Sequence, residues 1–158
     1  MSRLSKLIKI TIEKHVLPGK KSLELFPGSH PDSIDLLYRL TENKVIAIGA
    51  ETDKPKKVSY LKYIQKRVPP YPTFHRKFDY ILTNEAEWIV SIECGTPTDF
   101  NNFPEKGIRF IHTNLKKGGK FIISNIHKVV AQKLLTWFEK YGRYSLQYEN
   151  RVAIFTKK

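Results

Sequence analysis

The chain has 158 residues, of which 28 are Lys or Arg and 15 are Asp or Glu, so its formal net charge is +13. This length accommodates one domain with a substantial core and excludes two ordinary domains. The single cysteine, Cys94, excludes an internal disulfide and a multi-thiolate metal site, and it predicts a reducing, cytoplasmic location. No apolar stretch approaches membrane-spanning length, and lysines interrupt the apolar residues of the opening segment, so neither a membrane partner nor a signal peptide is expected.

The charges are segregated along the chain. Residues 54–78 carry eight Lys and Arg and no acid, whereas residues 79–105 carry six acids and no Lys or Arg. Aromatic residues are interleaved with the basic stretch, which suits a phosphate backbone with stacked bases. A lysine-rich surface that only keeps the protein soluble is the competing interpretation. DNA or RNA is the expected partner, through Lys56, Lys57, Lys62, Lys66 and Arg67.

The first 21 residues are predicted to form an N-terminal helical extension. Apolar residues from Leu4 to Val16 have helical spacing, although three isoleucines at alternate positions also fit a strand. The pair Pro18-Gly19 ends this element. Residues 22–158 then form the α/β core of a single domain.

The first half of this core alternates between strand-like and helix-like segments. Leu23 to Phe26 predicts a buried strand, and Pro31-Asp32 begins a predicted helix. The segment from Lys44 to Ile48 is apolar on both faces, as central parallel strands are. Val58 to Lys66 fits either a helix or a strand. The prolines between Val68 and Pro72 exclude a central strand there, because proline lacks a backbone donor.

The second half continues the alternation. Phe78 to Thr83 predicts a strand, and a helix predicted near Lys106 to Leu115 should end at Gly118-Gly119. Lys120 to Ser124 predicts the next strand. Residues 129–138 then predict a helix, because their apolar residues recur at helical spacing.

The last sixteen residues predict a hairpin. Its two strands, Tyr144 to Tyr148 and Val152 to Thr156, would be joined by a tight turn at Glu149-Asn150. The order of all these elements predicts an α/β fold: a doubly wound, mostly parallel sheet with helices on both faces and a C-terminal antiparallel hairpin.

The most informative segment is the turn after the first predicted strand. The apolar run contains Glu24 and breaks into Pro27-Gly28-Ser29, with a helix beginning just beyond. Such a strand, turn and helix leave backbone N–H groups exposed, and open α/β sheets bind ligands at that place. We therefore expect a ligand site here, although an ordinary strand-end acid and an ordinary turn glycine also explain Glu24 and Gly28.

Three segments, in this order, resemble one known family. Glu24 to His30 places an acid at the end of strand one before a glycine-containing loop. Phe78 to Asn84 forms a fourth strand, and Gly118-Gly119 precedes a fifth. Together with the terminal hairpin, these features resemble the class I S-adenosylmethionine-dependent methyltransferases from Ser22 to the C-terminus. The resemblance implies their Rossmann-like fold.

The resemblance also implies S-adenosylmethionine as the cofactor. The turn would lie against the methionine part of that cofactor, and an acid after strand two would accept hydrogen bonds from the ribose hydroxyls. The residues implied to bind the cofactor are Glu24, Phe26, Pro27, Gly28, Ser29 and one or both of Glu51 and Asp53. The substrate side would follow strand four, where the candidates for a catalytic role are Asn84, Glu85 and Trp88.

The sequence departs from the family's pattern in several places. Of the three glycines usual in the first motif only Gly28 remains, with Phe26 and His30 at the flanking positions. No acid follows strand three, where the family often has one near the adenine amine. The residues that begin at Asn84 also differ from the Asn-Pro-Pro-Tyr of enzymes that methylate exocyclic amines of bases.

Two classes of function therefore stay open. The first is a methyltransferase that acts on an unidentified, nucleic-acid or other anionic substrate, which Glu51 and Asp53 favour. The second is a catalytically inactive methyltransferase-fold protein that binds nucleic acid or a partner protein, which the depleted glycine motif favours. The five histidines are scattered without metal-ligand spacing, so no metal is expected, and the protein should be a monomer or a homodimer.

Overall fold

The structure, a computed structural model, describes residues 4–27, 32–49, 55–66, 70–84 and 103–158. No helix within these ranges is long and apolar enough to cross a membrane. The helices and strands are α1 (Lys6–Glu13), β1 (Ser22–Leu25), α2 (Asp32–Thr41), β2 (Val45–Gly49), β3 (Leu61–Gln65), β4 (Phe78–Asn84), α3 (Phe103–Asn114), β5 (Leu115–Ser124), α4 (Lys128–Phe138), β6 (Tyr144–Glu149) and β7 (Val152–Lys157).

The seven strands form one sheet in the order β3-β2-β1-β4-β5-β7-β6. Strands β1 to β5 are parallel, and β7 runs antiparallel to both β5 and β6. The predicted doubly wound, mostly parallel sheet with a C-terminal hairpin is therefore confirmed. The ambiguous segment before residue 66 is a strand, β3, and it lies at one edge of the sheet.

Helices cover both faces of the sheet. Helices α3 and α4 pack on one face around Phe121, Phe138 and Phe155, all of which are fully buried. Helices α1 and α2 pack on the other face, where Ile12 and Leu37 are fully buried. Side chains of the central strands alternate between these two cores, since successive residues of a strand point to opposite faces.

Helix α1 belongs to this second layer. It begins at Ser5, whose hydroxyl accepts a hydrogen bond of 3.2 Å from the Ile8 amide. Its far end is tied to the C-terminal hairpin, where Asn150 Nδ2 donates to Thr11 Oγ1 at 3.0 Å. Lys14 Nζ also lies 2.8 Å from a carboxylate oxygen of Glu149. The extension predicted for the first 21 residues is thus packed against the sheet.

Two boundaries differ from those predicted. Leu115 begins β5 and does not end the preceding helix, because it pairs with Phe78 at the start of β4. The two-glycine segment therefore lies inside β5 as a bulge, where Gly118 has a φ of +81°. The hairpin turn lies one residue later than predicted, at Asn150 and Arg151, which have φ values of 51° and 64°. Positive φ at both central residues is typical of a type I′ turn.

Gly119→Ala should lower the free energy of unfolding by about 1–3 kcal/mol, because backbone leaves no room for a side chain. An added Cβ would lie 2.8 Å from the Lys116 carbonyl oxygen and 3.0 Å from that of Asp79. Gly118→Asn is the control, since asparagine tolerates a positive φ and a Cβ there meets nothing within 4 Å. Urea unfolding measures both variants. Equal losses of stability would contradict this account of the bulge.

Candidate functional site

The carboxyl ends of three neighbouring parallel strands meet at one edge of the sheet. Leu25 ends β1, Gly49 ends β2 and Asn84 ends β4. The chain continues from β1 to β2 on one side, whereas β4 lies on the other side of β1. Open α/β sheets bind ligands in the crevice at such a reversal of strand order. The candidate site is therefore the edge of the sheet formed by the carboxyl ends of these parallel strands, and it is centred on the end of β1.

The chain leaves the sheet at Phe26. The Phe26 amide still donates to the Ile48 carbonyl at 2.8 Å, and its φ of 58° then turns the backbone sharply. A left-handed conformation costs an aromatic residue about 1–2 kcal/mol relative to glycine. The ring is partly buried against the core beneath α3 and α4, which offsets this cost. The turn thus keeps a conformation that glycine favours, although the first motif glycine is absent.

Glu24 lies in β1, two residues before Phe26, and its side chain is fully buried. Its Oε2 atom accepts a hydrogen bond of 2.6 Å from the Ser33 hydroxyl in the first turn of α2. Its Oε1 atom, also buried, has no hydrogen-bond partner among the residues that the structure describes. Burial raises the pKa of the Glu24 carboxyl to about 8, and the bond from Ser33 offsets only part of that rise. The carboxyl therefore retains one unused acceptor beside the turn.

Asn84 fastens the end of β4 to the end of β5. Its Oδ1 atom accepts hydrogen bonds from Ser124 Oγ at 2.7 Å and from Asn125 Nδ2 at 2.8 Å. Both lone pairs of this oxygen are therefore engaged. The buried Thr83 hydroxyl donates to the Leu25 carbonyl at 3.0 Å, which ties β4 to β1 at the same edge. These bonds join the carboxyl ends of β1, β4 and β5.

The end of β2 is covered by the neighbouring edge strand. A Cβ added to Gly49 would lie 2.5 Å from the Tyr63 hydroxyl and 3.3 Å from the tyrosine ring. Glycine at this position therefore lets the Tyr63 side chain of β3 lie across the last residue of β2. The acids expected for the ribose hydroxyls follow directly after this residue in the sequence.

The structure describes only part of the site predicted from the sequence. Glu24, Phe26, Pro27 and Asn84 are described and lie at one edge of the sheet. The other predicted residues lie outside the described ranges, so their roles stay predictions. These residues are Gly28, Ser29, Glu51, Asp53, Arg67, Glu85 and Trp88.

The basic stretch falls in two places. Lys56, Lys57 and Lys62 are exposed, and Lys66 is half-buried, along the edge strand β3 and the segment before it. We call these four residues the β3 lysines. Two aromatic residues lie among them, Tyr60 and Tyr63, and Tyr60 is stacked on Tyr38 of α2 with ring centroids 4.2 Å apart. The remaining basic residues of the described stretch, from His75 to Lys77, lie before β4.

Hydrogen-bond partners of the site escaped the sequence analysis. Ser33 has a detectable signal, because it shares the buried stripe of α2 with Leu36 and Leu37. A serine in such a stripe needs a polar partner, and Glu24 is that partner. Ser124 and Asn125 carry no comparable signal, since they follow an ordinary apolar strand.

The histidines within the described ranges show no common site. No three His, Cys, Asp or Glu side chains cluster there as metal ligands would. His112 instead packs beside Tyr141 and Tyr144, and its Nδ1 atom lies 2.8 Å from the Tyr144 hydroxyl. Burial lowers the pKa of His112.

Solved methyltransferase structures share this architecture. A methyltransferase from Pyrococcus furiosus superimposes with a TM-score of 0.64 and 14% identity, over 96% of this chain and 82% of its own. A Plasmodium falciparum protein assigned as a ribosomal RNA methyltransferase has a TM-score of 0.65 and 16% identity, over 97% and 93%. A TehB-like S-adenosylmethionine-dependent methyltransferase from Corynebacterium glutamicum has a TM-score of 0.65 and 16% identity, over 95% and 86%.

Sequence comparison adds nothing to this likeness. No family model matches the chain, and no curated protein sequence matches it. The similarity to solved structures extends over nearly the whole chain, so it shows the fold. The chain has the class I methyltransferase fold.

Glu24→Gln should remove a pH dependence of stability. Because burial raises the pKa of this carboxyl from 4.5 to about 8, the folded protein binds one more proton than the unfolded chain between those values. The free energy of unfolding should therefore fall as pH rises through this window. From pH 5 to pH 8 the parent should lose about 2–4 kcal/mol more than the variant, since one pKa unit is worth about 1.4 kcal/mol.

Urea unfolding at the two pH values measures this difference. Glu139→Gln is the control, because Glu139 is exposed at the end of α4 and its removal leaves the buried carboxyl in place. Parallel stability profiles for the parent and Glu24→Gln would mean that the carboxyl is hydrated in the folded protein.

Proposed function

We propose that the protein is an S-adenosylmethionine-dependent methyltransferase. The observation that carries the proposal is the buried carboxyl of Glu24 near the turn at the strand-order reversal, whose Oε1 atom has no hydrogen-bond partner within the described ranges. Ligands of open α/β sheets bind at this place. The methyltransferases of the same fold supply the class of cofactor.

The described residues fit such a cofactor. The methionine part of S-adenosylmethionine carries an ammonium. Such a cation would favour the ionised form of the Glu24 carboxyl and could bind its Oε1 atom, which no described residue engages. Phe26 turns the backbone at the end of β1 with a positive φ, a conformation that glycine favours. S-adenosylmethionine supplies a sulfonium methyl group that a nucleophile takes by in-line displacement.

The protein's own part in such a reaction is mainly to position the reactants. The ends of β1 and β4 are joined through Thr83 and Leu25, and the end of β4 is joined to β5 through Asn84. This rigid edge would hold a donor and an acceptor in one orientation. We assign no residue to proton removal, because Glu85, the acidic candidate from the sequence, lies outside the described residues.

A nucleic acid is the proposed substrate class. The net charge is +13, and three of the four β3 lysines are exposed. Lys66 directly follows the carboxyl end of β3, where its amide donates to the carbonyl of Gly49 at the candidate site, whereas Lys56 and Lys57 precede β3 at its opposite end. Lysines on an edge strand have another explanation, since charged side chains there prevent pairing with a second sheet. An inactive protein that binds nucleic acid through the same lysines is the second candidate function, and Phe26 in place of a glycine favours it.

Calorimetry with S-adenosylmethionine and S-adenosylhomocysteine tests the enzyme proposal. We expect a dissociation constant below about 1 mM for at least one of them, which corresponds to about 4 kcal/mol of binding free energy. Absence of heat and of a thermal shift with both ligands at millimolar concentration would exclude the methyltransferase and leave the inactive binding protein.

Two acids provide the matched comparison within that experiment. If the Glu51 carboxylate accepts hydrogen bonds from the ribose hydroxyls, Glu51→Ala should weaken cofactor binding by about 1–3 kcal/mol, because a buried hydroxyl would lose its charged acceptor. Asp53→Ala should do so if that acid performs the role. Unchanged binding in both variants would place the ribose site elsewhere.

Replacing all four β3 lysines by Gln should flatten the salt dependence of nucleic-acid binding. Each neutralised phosphate releases condensed counterions, with a log–log slope of about 0.7 to 0.9 per contact. DNA and RNA should weaken alike, since lysines on phosphates do not read bases. The matched control changes Lys117, Lys128, Lys133 and Lys158, which are exposed elsewhere. If the slope of log affinity against log salt concentration is the same in both quadruple variants, the β3 lysines serve only to prevent pairing of the edge strand with a second sheet.

A further inference from the structure

A second concave site lies on the sheet face that α3 covers. It has a volume of about 690 Å³ and lies between α3 and residues 70–77. Small-molecule sites in proteins have volumes of roughly 300–1,000 Å³. The cavity is therefore large enough for a ligand of that size.

The cavity exists because the crossover from β3 to β4 lacks a helix in its described part. A connection between parallel strands usually contains a helix that covers the sheet. Residues 70–77 are described and contain no helix, and Pro70 and Pro72 supply no backbone donors for one. This extended segment covers less of the sheet than a helix would, which leaves the space beside α3.

The floor of the cavity is aromatic. Tyr71 is stacked on Phe110 of α3, with ring centroids 4.6 Å apart and 21° between the ring planes. Phe74 meets the edge of Phe78 at 5.1 Å, so its ring is fixed as well. Ordered aromatic rings offer faces and edges on which a further planar ring can pack.

The rim of the cavity is cationic. Lys77, Lys106 and Arg109 line it together with His75, and the residues described in its lining include no acid. The nearest paired acid is Glu105, which lies 3.6 Å from Arg109 with both side chains about half exposed. Such an exposed pair is weak and leaves the guanidinium accessible to another anion. Cations around an apolar floor concentrate the potential felt by a negative ligand.

The cavity is separate from the proposed cofactor edge. Lys77 and Asn114 of its lining directly precede β4 and β5, whereas the cofactor edge lies where those strands end. Strand β4 has seven residues and so spans about 20 Å at roughly 3.3 Å per residue. A ligand in the cavity would therefore not contact the turn at Phe26.

We propose that this cavity binds a nucleotide, with the base packed on the aromatic floor and the phosphate among Lys77, Lys106 and Arg109. The combination selects for the class, because the floor alone suits any apolar group and the rim alone suits any anion. The nucleotide is either free or one residue of a single strand, and both present the same base and phosphate. The proposal does not depend on methyl transfer.

Calorimetry with guanosine 5′-monophosphate tests the proposal on the full chain. This probe avoids the adenine of the proposed cofactor, and saturating S-adenosylhomocysteine should leave its binding unchanged. Guanosine and inorganic phosphate should each bind at least about tenfold more weakly, because each contacts only half of the site. Equal binding of phosphate alone, or displacement by S-adenosylhomocysteine, would overturn the proposal.

Two variants address the cavity without altering its core. The double variant Lys106→Gln/Arg109→Gln should weaken the monophosphate at least about tenfold, and Thr113→Trp should block it by filling the space from an exposed position on α3. The double variant Lys128→Gln/Lys133→Gln removes the same charge from α4 and should bind as the parent does. No binding by the parent at about 10 mM, or equal weakening in both double variants, would overturn the proposal.

A hexaribonucleotide distinguishes the two sources of the nucleotide. If the hexaribonucleotide binds at least about tenfold tighter than the monophosphate and Thr113→Trp abolishes this binding, the ligand is a nucleotide within a single-stranded nucleic acid. Affinity no higher than that of the monophosphate identifies the free nucleotide. Replacing the four β3 lysines should not change monophosphate binding. Nucleic-acid binding by the β3 lysines and nucleotide binding in the cavity are therefore tested by different measurements.

Discussion

The position of β1 determines where every other part of the candidate site lies. This strand has only four residues, and all of them are buried. Its backbone pairs with β2 on one side and with β4 on the other. Because it is central, any polar group on it must find its partner within the protein or a ligand. Ser22 and Glu24 are the buried polar residues of β1, and Ser33 of α2 satisfies one of the two carboxyl oxygens of Glu24.

The fold was largely predictable because its signals are local. Apolar runs such as Lys44 to Ile48 are long enough to identify central strands, and the helices show their buried stripes at regular spacing. The segment before residue 66 was ambiguous for a physical reason. As an edge strand, β3 is only partly buried and so lacks the continuous apolar pattern of its neighbours. The predicted start of β5 was wrong, because the two glycines lie in a β-bulge and not in a turn before the strand.

The site was less predictable, since it depends on contacts between distant parts of the chain. The sequence identifies Glu24 as an acid at a strand end, but its raised pKa follows from complete burial, which only the packed sheet reveals. Asn84 stays a candidate for chemistry from the sequence, and the structure adds that its side-chain oxygen accepts hydrogen bonds from Ser124 and Asn125. The aromatic residues of the basic stretch were predicted to stack on bases. Tyr60 is stacked on Tyr38, and Tyr71 is stacked on Phe110.

The attachment of α1 to the C-terminal hairpin has a consequence for the order of folding. Helix α1 packs beside β7, and Thr11 receives its hydrogen bond from Asn150, 139 residues further along the chain. A helix of eight residues has little stability by itself in water. Helix α1 can therefore complete its contacts with the hairpin only after β6 and β7 have been synthesised. Until then the surface of α1 that packs beside β7 is left uncovered, although the rest of its apolar face can already pack against α2 and the sheet.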